Sequence, residues 1–330
     1  MNLHKKNEAF RELIELTADY FGYEQSHIEK DYWVSKFLKE LALSEFAGNV
    51  YFKGGTSLSK AYGIIDRFSE DLDIFVYSGN PASSKQSEKT LNRNVSYFII
   101  ENNRDMYVEE LSKTGGDFRK LVFSYETHYE GVGLKENLEV ELKCCISDNK
   151  TTMYYPVQTK RIQPIITEYL QAIGNNDIIV RFGLENFDIQ TIDPKRTLCD
   201  KISRLTRLSY NDDYEMLIAK HIRDVYDIFR LLNVVEYQNF VQSDEFINAL
   251  QQVTSEDSLY RNSQSHNPVS KAKIFAQPES VLKLSPVLRA YNNELKQLMF
   301  DDKKLPVLED VIRLFLLLQK SLVVFDEKYR

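Results

Sequence analysis

Two aspartates one residue apart, Asp71 and Asp73, interrupt an otherwise apolar run, EDLDIFV, and a glycine pair, Gly54 and Gly55, precedes them in YFKGGTSLSK. In a β-strand successive side chains face opposite ways, so Asp71 and Asp73 share one face while Leu72, Ile74 and Val76 share the other and pack inward. Adjacent carboxylates repel each other unless a cation or a proton intervenes, and a divalent metal is the natural neutraliser. Hard cations such as Mg²⁺ bind one or two carboxylates plus substrate phosphates, and two such ions roughly 3.5–4 Å apart stabilise both the attacking and the leaving oxygen of a phosphoryl transfer. Gly54 and Gly55 would let the backbone approach a ligand closely, and a helix beginning near Thr56 would present free N–H groups to a phosphate. Thr56 and Ser57 add hydroxyl donors. Each piece alone also fits a plain turn or a solvated strand face; their order is what points to metal-assisted phosphoryl chemistry.

The elements that must position these groups are legible in the periodicity. Residues 5–22 and 25–44 carry apolar side chains at three- and four-residue steps (Phe10, Leu13, Ile14; Ile28, Tyr32, Trp33, Phe37, Leu41), which predicts two opening helices. VYFKGG reads as a strand entering a turn, TSLSKAYGIIDRF as a helix and EDLDIFVY as the next strand. Residues 83–112 read as helical, and KLVFSYETHY and NLEVELKCCIS alternate as strands, with further strands expected at YYPVQTKRIQP and IIVRFGL. After TIDPKRTL strand signals stop and helices are expected over 194–209, 214–233, 243–253 and 306–325. This predicts two domains, 1–190 and 191–330, in an α+β chain with a helical C-terminal lobe. Between the last two helices RNSQSHNPVSK reads as a polar loop.

The order GG[ST], helix, then DhD resembles the signature of the polymerase-beta-like nucleotidyltransferases. FKGGTSLSKAYGIIDRFSEDLDIFV is similar, more narrowly, to the AbiEii/AbiGii toxin family, which includes the MenT toxins. The longer gap from Gly55 to Asp71 favours that branch over aminoglycoside-type enzymes. IEKDYWVSKFLKEL also resembles the helix before the family's core, so the resemblance covers residues 27 to about 232. It implies a mixed sheet flanked by helices, an NTP substrate held with Mg²⁺ or Mn²⁺ between the lobes, and transfer of NMP to an acceptor hydroxyl with release of pyrophosphate. The acceptor implied is the 3′ end of a tRNA, and a cognate antitoxin is the implied protein partner. Asp71 and Asp73 would hold the metals, and Gly54, Gly55, Thr56, Ser57, Lys60 and Ser69 would line the nucleotide.

A third carboxylate is expected from NLEVELKCCIS, where Glu139 and Glu141 share one face; the residues leave both open, and the resemblance favours Glu141, as a ligand of the second metal or a base toward the acceptor. In the C-terminal lobe Pro194 fits a first helical turn capped by Asp193. Lys201 and Arg204 lie three residues apart, suited to triphosphate oxygens. HIRDVYD places His221, Asp224 and Asp227 in a polar stripe, where Lys220–Asp224 and Arg223–Asp227 could be surface ion pairs. The resemblance implies that Lys201 contacts phosphates and Asp224 orients it, with Asp227 structural.

Composition bounds the alternatives. At 330 residues, 43% hydrophobic, with net charge −7, the chain can bury a large core and has no whole-molecule positive field, so a polyanion must be met by a local patch. Cys144, Cys145 and Cys199 have no CxxC spacing and read as reduced core thiols. His4, His128 and His266 have no ligand spacing, so a zinc site is not expected. The N-terminus lacks an apolar signal region, and VIRLFLLLQKSLVVF is too short and too charged to span a bilayer, which predicts a cytoplasmic protein without a membrane partner. Most of the 20 Tyr and 19 Phe follow core periodicity; YNDDYEML and the loop at Arg261 are the candidates for RNA contact. The alternatives are an NTP-binding regulator without transfer and a transferase acting on a protein or a small molecule.

Overall fold

The computed structural model describes residues 1–131, 133–144, 156–261 and 267–329, with no side chains described at 259–261. Cys145, His266 and the side chain of Arg261 lie outside the described residues. The described chain divides into two compact units: residues within 1–63, 68–144 and 157–192 form the first, and 64–67, 156 and 193–329 the second.

The first unit is built on a seven-stranded mixed sheet of β1 (Val50–Lys53), β2 (Leu72–Val76), β3 (Lys113–Thr114), β4 (Phe118–Phe123), β5 (Leu138–Cys144), β6 (Val157–Ile162) and β7 (Phe187–Ile192), in the order β3-β4-β5-β2-β1-β7-β6. β2 and β5 run parallel, as do β1 and β7; the other pairs are antiparallel. One face is apolar: Phe52, Leu72, Ile74, Val140, Leu142 and Phe123 are buried beneath Val34, Phe37 and Leu38 of α2 (Gln25–Ala42) and Val95 and Ile99. A second cluster joins Phe10 and Ile14 of α1 (Asn7–Phe21) with Tyr32 and Trp33 of α2 and with Leu170 and Phe182.

Several expectations are corrected. The helix after the glycine pair, α3 (Gly54–Lys60), stops well short of Phe68, and the linker that follows joins the second unit. The helix read over 83–112 is α4 (Lys85–Asn102), where Ser84 accepts the Ser87 N–H at 3.1 Å; a short 3-10 turn follows. After α5 (Ile165–Ala172), IIVRFGL is not a strand. It lies in α6 (Asn176–Phe182), closed by Gly183 at φ 64°, with Ile179 and Phe182 buried one turn apart. The strand of this region is β7, a few residues on, where Phe187 and Ile189 alternate with Asp188 and Gln190.

The second unit is helical: α7 (Pro194–Ser209), α8 (Tyr214–Lys220), α9 (Ile222–Leu232), α10 (Val235–Phe240), α11 (Asp244–Arg261), α12 (Lys273–Ala276), α13 (Pro278–Leu282), α14 (Ser285–Arg289) and α15 (Leu308–Lys328). Asp193 caps α7 through the Lys195 N–H at 2.9 Å, with Pro194 in the first turn. The helix expected over 214–233 is broken at His221. Residues 64–67 are tied in by the Phe300 N–H on the Asp66 carbonyl (3.1 Å) and by an Arg67–Met299 bridge. Cys144 and Cys199 are buried and, among the described residues, form no disulfide. Among the described residues no helix is long and apolar enough to cross a membrane.

Candidate active site

The polar face of the sheet is assembled by register. Lys53 lies opposite Asp73 in the β1–β2 ladder, Asp73 opposite Glu141 across β2 and β5, and Glu141 opposite Lys120 across β5 and β4. Paired residues share a face, so Asp73 and Glu141 stand side by side, with Asp71 and Glu139 at the adjoining end of their strands. Burial, and then the charges of Asp73 and Asp71, push the Glu141 carboxyl up to about 7. Glu139 goes the other way: burial alone would raise it, but hydrogen bonds from Lys120 (2.6 Å) and Lys135 hold it below the ordinary carboxylate range. Asp71 is reached by Lys135 Nζ at 2.6 Å.

The glycine bend lies against this face. Gly54 has φ 78°, the left-handed region, and a Cβ there would overlap the Asp73 carboxylate. The expected hydroxyl donors have partners within the scaffold. Thr56, fully buried, donates to the Asp71 carbonyl at 2.5 Å and lies 3.0 Å from Ser69 Oγ, so it and Ser69 fix the segment that carries Asp71. Ser57 is also buried and donates to the Gly54 carbonyl at 2.9 Å, and Gly55 is buried beside it. Lys60 pairs with the buried Asp31 of α2, whose other oxygen accepts the Ile165 N–H at 2.9 Å.

Sequence comparison then decides the family. The family model for the nucleotidyl transferase AbiEii toxin, type IV toxin-antitoxin system, matches residues 36–313. The chain belongs to this family. It is accordingly a nucleotidyltransferase toxin of the AbiEii kind, and the match takes in every candidate residue from Gly54 to Asp224 and runs well past residue 232. No curated protein sequence matches the chain. Among solved structures it is similar to MenT4, the nucleotidyltransferase toxin Rv2826c of Mycobacterium tuberculosis H37Rv, at 14% identity and TM-score 0.47, over 94% of this chain and 98% of that one. It is also similar to JHP933 from Helicobacter pylori, at 15% identity and TM-score 0.45, over 93% and 97%.

An AbiEii transferase acts on an NTP, and the donors present suit a hard divalent ion: oxygen only, from the carboxylates of Asp71, Asp73 and Glu141. Among the described residues no three acidic, His or Cys side chains already close on one point, so such an ion would complete its shell from phosphates and water.

Lys201, Asp224 and Arg204 belong to the second unit, where they form one chain of charges. Lys201 Nζ lies 2.6 Å from Asp224 and 2.8 Å from Asp227; Arg204 reaches Asp224 at 3.1 Å, and Arg67 forks onto Asp227 at 2.8 and 2.7 Å. Burial would raise the Asp224 carboxyl, but Lys201 and Arg204 outweigh it and hold it well below the ordinary range. The i,i+4 pairs read from sequence are therefore replaced by pairs between helices. Sequence reasoning missed Lys53, Lys120 and Lys135 on the carboxylate face; Lys120 and Lys53 are found from strand register, Lys135 from the path of the β4–β5 loop.

Proposed function

We propose that this AbiEii transferase moves NMP from a Mg²⁺-bound NTP to a hydroxyl of an RNA, the 3′ end of a tRNA, with Asp71, Asp73 and Glu141 as its metal-holding acids. The observation that carries this reading is the direct pairing of Asp73 with Glu141, beside Asp71 and beneath a glycine whose missing side chain leaves the Asp73 carboxylate room. A divalent ion held here would neutralise the carboxylates and the charge gathering on the phosphoryl oxygens.

The acceptor oxygen bonds to the α-phosphorus, the bond to the β-phosphate bridging oxygen breaks, and pyrophosphate leaves with that electron pair while the hydroxyl proton passes to a base. Glu141 is the candidate for that base or for a further metal ligand; burial and the charges of Asp73 and Asp71 raise its carboxyl to about 7 while no ion is bound. Glu139, committed to two lysines, is the poorer candidate for either role. In the second unit, Lys201 is neutralised between Asp224 and Asp227, and the half-exposed Arg204 is the cation offered to a polyanion. A type IV system pairs the toxin with an antitoxin, the second partner of this reading.

Purified protein incubated with each α-labelled NTP, Mg²⁺ and total tRNA should label RNA, and Asp71→Ala should abolish the label. Label on protein alone would move the acceptor to a side chain, and tight NTP binding with no label anywhere would make the chain a nucleotide-binding regulator.

A further inference from the structure

Lys135 is held with unusual care for a residue in a strand-connecting loop. Lys30 of α2 and Glu70 form an ion pair at 3.5 Å with side chains only 2% exposed. Glu70 accepts the Lys135 backbone N–H at 2.9 Å, and Lys30 Nζ donates to the backbone carbonyls of Lys135 (2.6 Å) and Asn137 (2.9 Å). Both polar atoms of the Lys135 backbone are thus fixed by a charged pair that is costly to bury. An ordinary surface salt bridge needs no such support.

From this anchored backbone the side chain reaches the carboxylates. Its ammonium lies 2.6 Å from Asp71 Oδ1 and also bonds to Glu139, four residues on, which Lys120 holds from the other side at 2.6 Å. An ammonium at that distance takes the place beside Oδ1 that a metal ion would need.

We propose that Lys135 is a built-in counter-ion for Asp71, competing with the divalent cation for that carboxylate and keeping the metal affinity of the nucleotide-free site low. The inference rests on the metal-holding role given to Asp71, Asp73 and Glu141 above. Giving up Asp71 does not strand the ammonium, because Glu139 remains within its reach. Two positive groups crowded on Asp71 are unfavourable alone but are offset when a triphosphate brings its own negative charge. Metal binding is thereby coupled to nucleotide binding, and Lys135 is a positioning residue.

The test uses the full chain and Mn²⁺ alone, with free ion followed by its electron paramagnetic resonance signal. Removing the competing charge in Lys135→Met should tighten nucleotide-free Mn²⁺ binding by about tenfold or more, while Lys135→Arg, which restores the charge, should bind as the wild type does. Lys135→Gln serves if the methionine variant misfolds. A non-hydrolysable NTP should narrow the difference. Unchanged or weaker Mn²⁺ binding in both neutral variants, with wild-type binding still abolished by Asp73→Asn, overturns the counter-ion role alone. Failure of wild-type protein to show any Asp73-dependent Mn²⁺ binding, even with NTP, overturns the metal-holding reading itself and this inference with it.

Discussion

Gly54→Ala adds one methyl group at the point where backbone and carboxylate meet, and two costs follow from the structure. The residue sits at φ 78°, and an L-residue held in the left-handed region costs roughly 1–2 kcal/mol. The new Cβ also overlaps the Asp73 side chain, which must shift by about 1 Å, and a displacement of that size at a reacting centre costs on the order of a hundredfold in rate. Gly63→Ala separates the two effects. Gly63 has φ 61° but no atom within 4 Å of where its Cβ would lie, so it carries the backbone cost without the collision. Denaturant midpoints should fall in both variants, and further in Gly54→Ala, which adds the collision to the backbone cost. Initial rates of label transfer from α-labelled NTP should fall about a hundredfold in Gly54→Ala and stay within about twofold of wild type in Gly63→Ala. Equal rates in the two variants would refute the claim that the bare backbone at 54 exists to seat Asp73.

Two further outcomes are expected. The Glu141 carboxyl stands at about 7 against an ordinary 4.5, so folding favours its protonated form; in metal-free protein, stability should decline as pH rises through that window, by at most about 3 kcal/mol, and Glu141→Gln should remove the decline in pH-dependent denaturation curves. Asp227→Ala leaves the buried Arg67 and Lys201 without a shared anion and should cost about 3–5 kcal/mol in equilibrium unfolding; a loss well below 1 kcal/mol would show the pair to be dispensable.

How far the sequence carries depends on whether a feature is local. The alternation in LDIFV and LEVEL is a property of a strand alone, so the faces of β2 and β5 are legible from their own residues. The order of glycine turn, helix and DhD strand likewise survives translation into β1, α3 and β2. IIVRFGL misleads because β-branched residues favour strands, whereas burial of Ile179 and Phe182 one turn apart and the left-handed Gly183 suit a helix end. The roles of Thr56 and Lys60 are hidden for a different reason. Hydroxyl and ammonium groups bind phosphate or protein equally well, and only the fold reveals that Asp71, Ser69 and Asp31 already claim them.

The choice between Glu139 and Glu141 shows the same boundary most sharply. Two residues apart on one strand face, they are equivalent to any pattern of periodicity. What separates them is a neighbour in each direction: β2 brings Asp73 opposite Glu141, while Lys120 and the β4–β5 loop's Lys135 converge on Glu139. One acid is crowded by negative charge and burial toward holding a proton, and the other is fixed as an anion by two ammonium groups. Under the proposed metal-holding role, a cation entering this face would contest Asp71 and Glu139 with lysines already bonded to them, and at the Asp73–Glu141 pair it would relieve the repulsion that raises Glu141.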